Sequence, residues 1–194
     1  MPYLDFSHTT ELILPNLGKP LHIKTARPSF LGWSEHSRPK IMNNKPALSW
    51  KGKPSVAELV VSETLGEGWK GVWVYKPAWN ENRAQGILAC SGVEGGTWVN
   101  KSKFGGVMEL SKPSYRRSLL PGHAADAVRS IYNQIKDKCG CWDVVAWKGE
   151  ELLFVECKLV GKDSLKLSQL SFLEAGLQQG LSSEQFGIVE WNLG

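Results

Sequence analysis

Asp143, Glu156 and Lys158 have the types and spacing that make chemistry most legible in this chain. They lie within Cys141-Trp142-Asp143-Val144-Val145-Ala146-Trp147-Lys148-Gly149-Glu150-Glu151-Leu152-Leu153-Phe154-Val155-Glu156-Cys157-Lys158, two β-forming runs around a tight turn. Gly149-Glu150 suits a two-residue type II′ hairpin, which wants glycine first of its two central positions. If Lys148 pairs with Glu151, counting back sets Trp147 against Leu152, Val145 against Phe154 and Asp143 against Glu156. Strand alternation then puts Lys158 on that same face and Cys157 on the other. Two like charges opposed across a ladder repel, and taking them partly out of water raises the cost. A divalent cation would offset that cost, since Mg2+ and Mn2+ favour oxygen ligands and Mg2+ commonly takes one or two carboxylates plus phosphate and water. Lys158 would stand beside the attacking water or the phosphate, stabilising developing negative charge, or acting as a base if burial and metal depress its pKa. The same spacing also fits an amphipathic hairpin whose carboxylates reach solvent at the strand ends.

Several elements must position these residues. Upstream, residues 123–138 carry Ala124, Ala127, Val128, Ile131 and Ile135 at helical spacing, with Gly140 beyond the end. Downstream, Asp163 or Ser164 is a candidate N-cap for a helix over 165–178, closed by Gly180. Gln169 shares its face with Leu165, Phe172, Leu173 and Gly176, so its amide points toward the sheet. A buried amide needs partners, either a water or phosphate at the site or backbone groups. Residues 186–191 supply a final strand. Before all of these come a helix over 54–65, bracketed by Pro54 and Gly66, and an alternating aromatic strand over 69–75. Residues 77–121, rich in Gly, Asn, Ser and Lys, form an insert of short strands and loops. Residues 1–53 hold six of the ten prolines and no sustained period, and are expected to lack long regular elements and to wrap the core.

The chain has 194 residues, enough for one domain. A net charge of +4 permits nucleic-acid binding without requiring it. Basic residues concentrate in two segments: Lys19 to Lys53 in the arm, and Lys101, Lys103, Lys112, Arg116 and Arg117 in the insert. Lys101, Lys103, Arg116 and Arg117 are candidate phosphate contacts, against the alternative of a merely solvated face. Trp79 and Trp98 are candidates for stacking on bases, although core positions account for most of the nine tryptophans. No apolar run approaches the length of a membrane span, and no secretion signal opens the chain. With four cysteines, at 90, 139, 141 and 157, too few for a disulfide scaffold, a cytoplasmic protein with reduced thiols is expected. Cys139 and Cys141 with His123 or Cys90 make a poor zinc set, lacking a second closely spaced ligand pair. No phosphate-cradling Gly-x-x-x-x-Gly-Lys-Ser/Thr loop is present.

The order helix, strand, insert, hairpin, helix, strand, with Asp143 followed by Glu156-Cys157-Lys158, resembles the PD-(D/E)XK nuclease superfamily. It is closest to the VRR-NUC and Holliday-junction-resolvase-like branches, in which a Gly-x-x-Asp strand, a Phe-Val-Glu-Cys-Lys strand and a Ser-x-x-Gln helix recur together. Here these are Gly140 to Asp143, Phe154 to Lys158, and the helix carrying Gln169 before Phe172. The likeness covers residues 54–75 and 140–191, and departs from the family pattern at Trp142, where proline is usual, and in the long insert. It implies an α/β fold with a restriction-endonuclease-like core (αβββαβ, a mixed central sheet flanked by helices) over residues 54–194, interrupted at about 77–139 and preceded by the arm. It also implies a glutamate on the first helix that helps bind metal, matching Glu58, with Glu63 the rival by helix phase.

The expected activity is Mg2+- or Mn2+-dependent hydrolysis of phosphodiester bonds in DNA. Asp143, Glu156 and the Cys157 carbonyl would be the ligands, Glu58 or Glu63 a further one, and Lys158 and Gln169 would complete the catalytic set. Resemblance makes a homodimer plausible, since many such enzymes cut two strands. A catalytically silent nucleic-acid-binding or assembly module and an RNA-cleaving enzyme are the alternatives.

Overall fold

The computed structural model describes residues 3–18, 20–33, 46–51, 53–74, 85–88, 96–99, 107–110, 117–135 and 140–194. In chain order its elements are β1 His8–Ile13, β2 Pro20–Ala26, β3 Ser29–Phe30, β4 Leu48–Trp50, β5 Lys53–Ser55, α1 Ala57–Thr64, β6 Lys70–Trp73, β7 Gln85–Leu88, β8 Gly96–Val99, β9 Val107–Leu110, β10 Arg117–Leu119, α2 Gly122–Gln134, β11 Val144–Lys148, β12 Glu151–Leu159, α3 Leu167–Gln178, a 3-10 turn Ser183–Gln185 and β13 Phe186–Leu193. The class is α/β. Among the described residues the main sheet is open and mixed, in the order β1-β2-β13-β12-β11-β6-β7-β10, with β3 also pairing with β13. The β2/β13 and β13/β12 pairs are parallel, and the remaining neighbours along that order are antiparallel.

Both faces of the central strands are covered, because alternate residues on them are apolar in both directions. On one face Val72, Val145, Phe154, Phe186 and Ile188 pack with Val128 and Ile131 of α2 and Phe172 and Leu173 of α3. On the other, Val144, Ala146, Leu153, Val155 and Val189 pack with Ala57, Val60 and Val61 of α1. Phe154 stacks on Phe186 at 5.3 Å and meets Phe172 edge-on at 5.7 Å, fixing β12, β13 and α3 to one another. Because β13 lies parallel to β12, the connection must cross over the sheet, and α3 is that crossover.

The hairpin forms in the expected register, with Lys148 opposite Glu151, Trp147 opposite Leu152 and Val145 opposite Phe154. Gly149 adopts φ +59 while Glu150 stays at negative φ, as a type II′ turn requires. The arm departs from expectation. Instead of wrapping the core as irregular chain, it places β1 and β2 in the main sheet beside β13. The proline-rich composition obscured two short strands, and Pro20 sits at the first position of one, where its missing N–H is tolerated. The β1–β2 turn is held by the buried Glu174 of α3, which accepts from the Asn16 backbone N–H at 3.1 Å and from Asn16 Nδ2 at 2.8 Å.

The insert likewise adds β7 and β10 to the sheet beyond β6, while β8 and β9 pair separately. Pro54 lies in β5 rather than opening the first helix, and α1 starts only at Ala57. The third helix starts at Leu167, two residues later than expected, with Lys166 rather than Asp163 or Ser164 at its N-cap. Asp163 is used earlier, its N–H closing a turn on the Leu159 carbonyl at 2.9 Å. No helix among the described residues is long and apolar enough to cross a membrane.

Candidate active site

β11 and β12 run as a regular ladder from the Gly149 turn to Val144 and Val155, and there the ladder stops. One residue further, side chains replace backbone partners. The Asp143 N–H donates to Glu156 Oε2 at 3.2 Å, and the Cys157 N–H donates to Asp143 Oδ2 at 3.1 Å. The two carboxylates thus cross-link the strands where they part. The Asp143 carbonyl in turn accepts from the Val74 N–H at 2.7 Å, holding the residue to the chain beyond β6. In an extended strand the N–H and C=O of one residue project to the same side, so the Cys157 carbonyl also faces the parting strands. The Cys157 side chain faces the opposite core, among Ala146, Leu153 and Val155.

Glu156 is 1% exposed and Lys158 7%, side by side on the face that carries Phe154. Lys158 Nζ lies 2.8 Å from Glu156 Oε1 and donates to Gln169 Oε1 at 3.0 Å. Gln169 Nε2 donates to Glu156 Oε1, and Gln169 Oε1 also accepts from the Lys166 N–H at 2.8 Å. Two donors on one side of the amide and a carboxylate on the other fix its orientation. Gln169 therefore closes a ring with Glu156 and Lys158 and caps the first turn of α3 at once. Burial pushes the Glu156 carboxyl well above the usual carboxylate range, with the Asp143 charge adding to the rise and Lys158 opposing it.

Trp142 and Gly140 hold this ring in place. Trp142, fully buried, donates its indole N–H to the Gln169 carbonyl at 3.0 Å and meets Phe186 edge-on at 5.1 Å. Gly140, at φ +89, passes so close to α3 that a Cβ there would lie 2.1 Å from the Ser168 carbonyl oxygen. The Gly-x-x-Asp spacing thus carries a packing requirement: only a residue without a side chain brings the chain across the first turn of α3 to Asp143.

The remaining candidates are placed elsewhere or not described. Glu58 is buried on α1, 2% exposed, on the helix that covers the opposite face of the sheet. Glu63 accepts from Trp50 Nε1 and from Lys51 Nζ, each at 2.7 Å, and so belongs to the contact between α1 and the arm. Among the described residues no three His, Cys, Asp or Glu side chains converge as an ion-binding group. Neither glutamate therefore joins Asp143 and Glu156 as a third side-chain ligand in this geometry. Glu58 came from the resemblance and Glu63 from helix phase, and neither tells which face of the sheet the helix covers.

Lys101, Lys103 and Arg116 lie outside the described residues, as do Trp79, Cys90 and Cys139. Arg117 opens β10, separated from β11 in the sheet by β6 and β7. In the arm, Arg27 pairs with Glu190 at 2.9 Å and Lys51 with Glu63, so part of that basic segment is spent on internal partners. Cys141 is half-buried beside Tyr132, and desolvation pushes its thiol pKa up. The chain matches no family model, no curated protein and no solved structure.

Proposed function

We propose that this chain is a divalent-metal-dependent nuclease that hydrolyses phosphodiester bonds in DNA, built on a restriction-endonuclease-like core of α1, β6, β11, β12, α3 and β13. The observation that carries the reading is the convergence of Asp143, Glu156 and Lys158 at the point where β11 and β12 part. Two carboxylates face one ammonium there, and one of the acids is nearly inaccessible with a raised pKa. A buried acid with a second carboxylate beside it is costly to ionise unless a further cation offsets the charge.

The donor set fits Mg2+ or Mn2+: two carboxylates and a backbone carbonyl, all oxygen, with room in the coordination sphere for water and phosphate. Asp143, Glu156 and the Cys157 carbonyl would hold the ion, which on binding neutralises phosphate charge and activates water. Glu156 must release its contact with Lys158 for this. Lys158, still held by Gln169, would then be the group that stabilises negative charge developing on the phosphate. Gln169 is a positioning residue: its amide holds the ammonium and the Glu156 carboxylate in register. Trp142 fixes Gln169 from behind through the carbonyl of the same residue.

The direct test is incubation of purified protein with duplex, single-stranded, flap and branched DNA in Mg2+, Mn2+ or EDTA. Cleavage in metal that EDTA stops, lowered about a hundredfold or more by Asp143→Asn or Glu156→Gln, is expected. No cleavage of any substrate in either metal would sink the proposal.

One observation favours a second reading, a silent nucleic-acid-binding module on the same fold. Glu156 is already satisfied by Lys158 and Gln169 in a closed ring. Calorimetric titration separates the two: Mn2+ binding that Asp143→Asn removes supports the nuclease, and absence of Mn2+ binding together with salt-sensitive DNA affinity supports the module.

A further inference from the structure

The face that carries Glu156 and Lys158 continues across β13 toward β1. The turn after β12 rises above it, leaving a cavity of about 320 Å3 with Lys158 in its wall. We propose that this cavity receives one unpaired nucleobase beside the phosphate held at Lys158, so that the substrate is DNA with an unpaired nucleotide at the cut. The inference rests on the phosphodiester reading and adds to it the substrate class.

Size, charge and position each point that way. The volume sits at the low end of the roughly 300–1,000 Å3 typical of small-ligand sites, room for a base and its sugar and not for a duplex. Leu165 and Ile188 give apolar walls, and Ser164, Asp163 and Glu190 supply polar groups. Arg27, which does not line the cavity, holds Glu190 at 2.9 Å. Carboxylates repel phosphate and accept hydrogen bonds from base amino and imino groups, as they do from the cytosine amino group. A nucleotide would set its anion against Lys158 and its N–H donors against Asp163 on the turn and Glu190, the register neighbour of Lys158 on β13. In a paired duplex those donors are engaged and the base is stacked, so the base must be unpaired to enter.

The test is an NMR titration of the full chain in EDTA with dCMP, dGMP, dTMP and inorganic phosphate. The same chain is then assayed in Mg2+ on a paired duplex and on that duplex with one unpaired nucleotide. dCMP and dGMP should shift the amides of Ser164, Leu165 and Ile188, and inorganic phosphate alone should leave them in place. Asp163→Asn should weaken dCMP about tenfold and dTMP less, since one carboxylate–base pair carries discrimination of that order. Ser164→Trp, which fills the cavity, should remove nucleotide binding while the fold, read by circular dichroism, is kept. Nucleotides that leave these amides unmoved, or phosphate that moves them equally, would overturn the inference. So would cleavage of the paired duplex as fast as the unpaired one, which leaves the nuclease reading standing. Nucleotide binding at these amides without cleavage in metal supports the cavity assignment and removes the nuclease reading instead.

Discussion

The β11–β12 hairpin has two ends built on different rules. At the turn end, Gly149 and Glu150 are exposed, every residue pair from Lys148–Glu151 onward is in register, and a Cβ added to Gly149 would meet nothing within 4 Å. At the open end the ladder gives way to two carboxylates that accept from backbone N–H groups of the opposite strand, Glu156 from Asp143 and Asp143 from Cys157, and Gly140 has no space for any side chain. The turn end obeys local propensity, and its sequence announces it. The open end holds two acids and a lysine in a nearly closed site, an arrangement that stability alone does not favour. Local rules therefore account for the hairpin's existence, and the proposed function would account for how it ends.

Replacing the open-end glycine should give the largest effect. Gly140→Ala puts a Cβ against the Ser168 carbonyl at a positive φ, combining backbone strain with overpacking, for a loss of roughly 3 kcal/mol or more in urea unfolding. A loss under about 1 kcal/mol would mean that the approach of this segment to α3 is not a constraint.

The pH dependence of stability is the second distinction. The Glu156 carboxyl has a raised pKa in the folded state, so the folded chain keeps a proton that the unfolded chain releases near pH 4.3. Its contribution to stability is fully present below that pH and is lost as pH rises through the folded value. In EDTA, wild type should therefore lose stability relative to Glu156→Gln between about pH 4 and the folded pKa. Adding Mn2+ should reverse the trend if the ion binds the carboxylate. Parallel stability curves for the two proteins would contradict the burial-driven shift.

Trp142→Phe keeps the aromatic contact with Phe186 and deletes the bond to the Gln169 carbonyl, which should cost about 1 kcal/mol. If Trp142 positions Gln169, the substitution should also lower the cleavage rate without changing DNA affinity. The smallest effect belongs to the turn end. Gly149→Ala meets no neighbour and pays only for its positive φ, roughly 1 kcal/mol, with cleavage unchanged.

The same contrast explains what was legible in the sequence. A single turn dipeptide, Gly149-Glu150, fixed the register and so the shared face of Asp143, Glu156 and Lys158. Helical spacing located α2 and α3 because their apolar faces meet one continuous core. The strands of the arm were hidden because β1 and β2 are flanked by prolines, and the pairing of β2 with β13 is a long-range contact that no local pattern records. Gln169 was visible as an inward-facing amide, but its partners, Lys158 and Glu156, depend on how α3 lies over β12. Trp142 and Gly140 carry a signal that could have been read: an apolar ring one residue before an acid at a strand start, and a glycine three residues before it, imply close packing there. Glu58 was named by resemblance and Glu63 by helix phase, and only the placement of α1 on the opposite face, with Glu63 tied to Trp50 and Lys51, separates them from the site.

The most direct test of the open end is DNA cleavage by Lys158→Met in Mn2+, with folding checked by thermal unfolding in EDTA. Methionine preserves the apolar stem, and replacing half of a buried ion pair leaves Glu156 free to take up a proton. The variant should stay folded yet cleave at least about a hundredfold more slowly than wild type. A folded Lys158→Met protein that cleaves as fast as wild type would contradict the assignment of this end of the hairpin as the catalytic site.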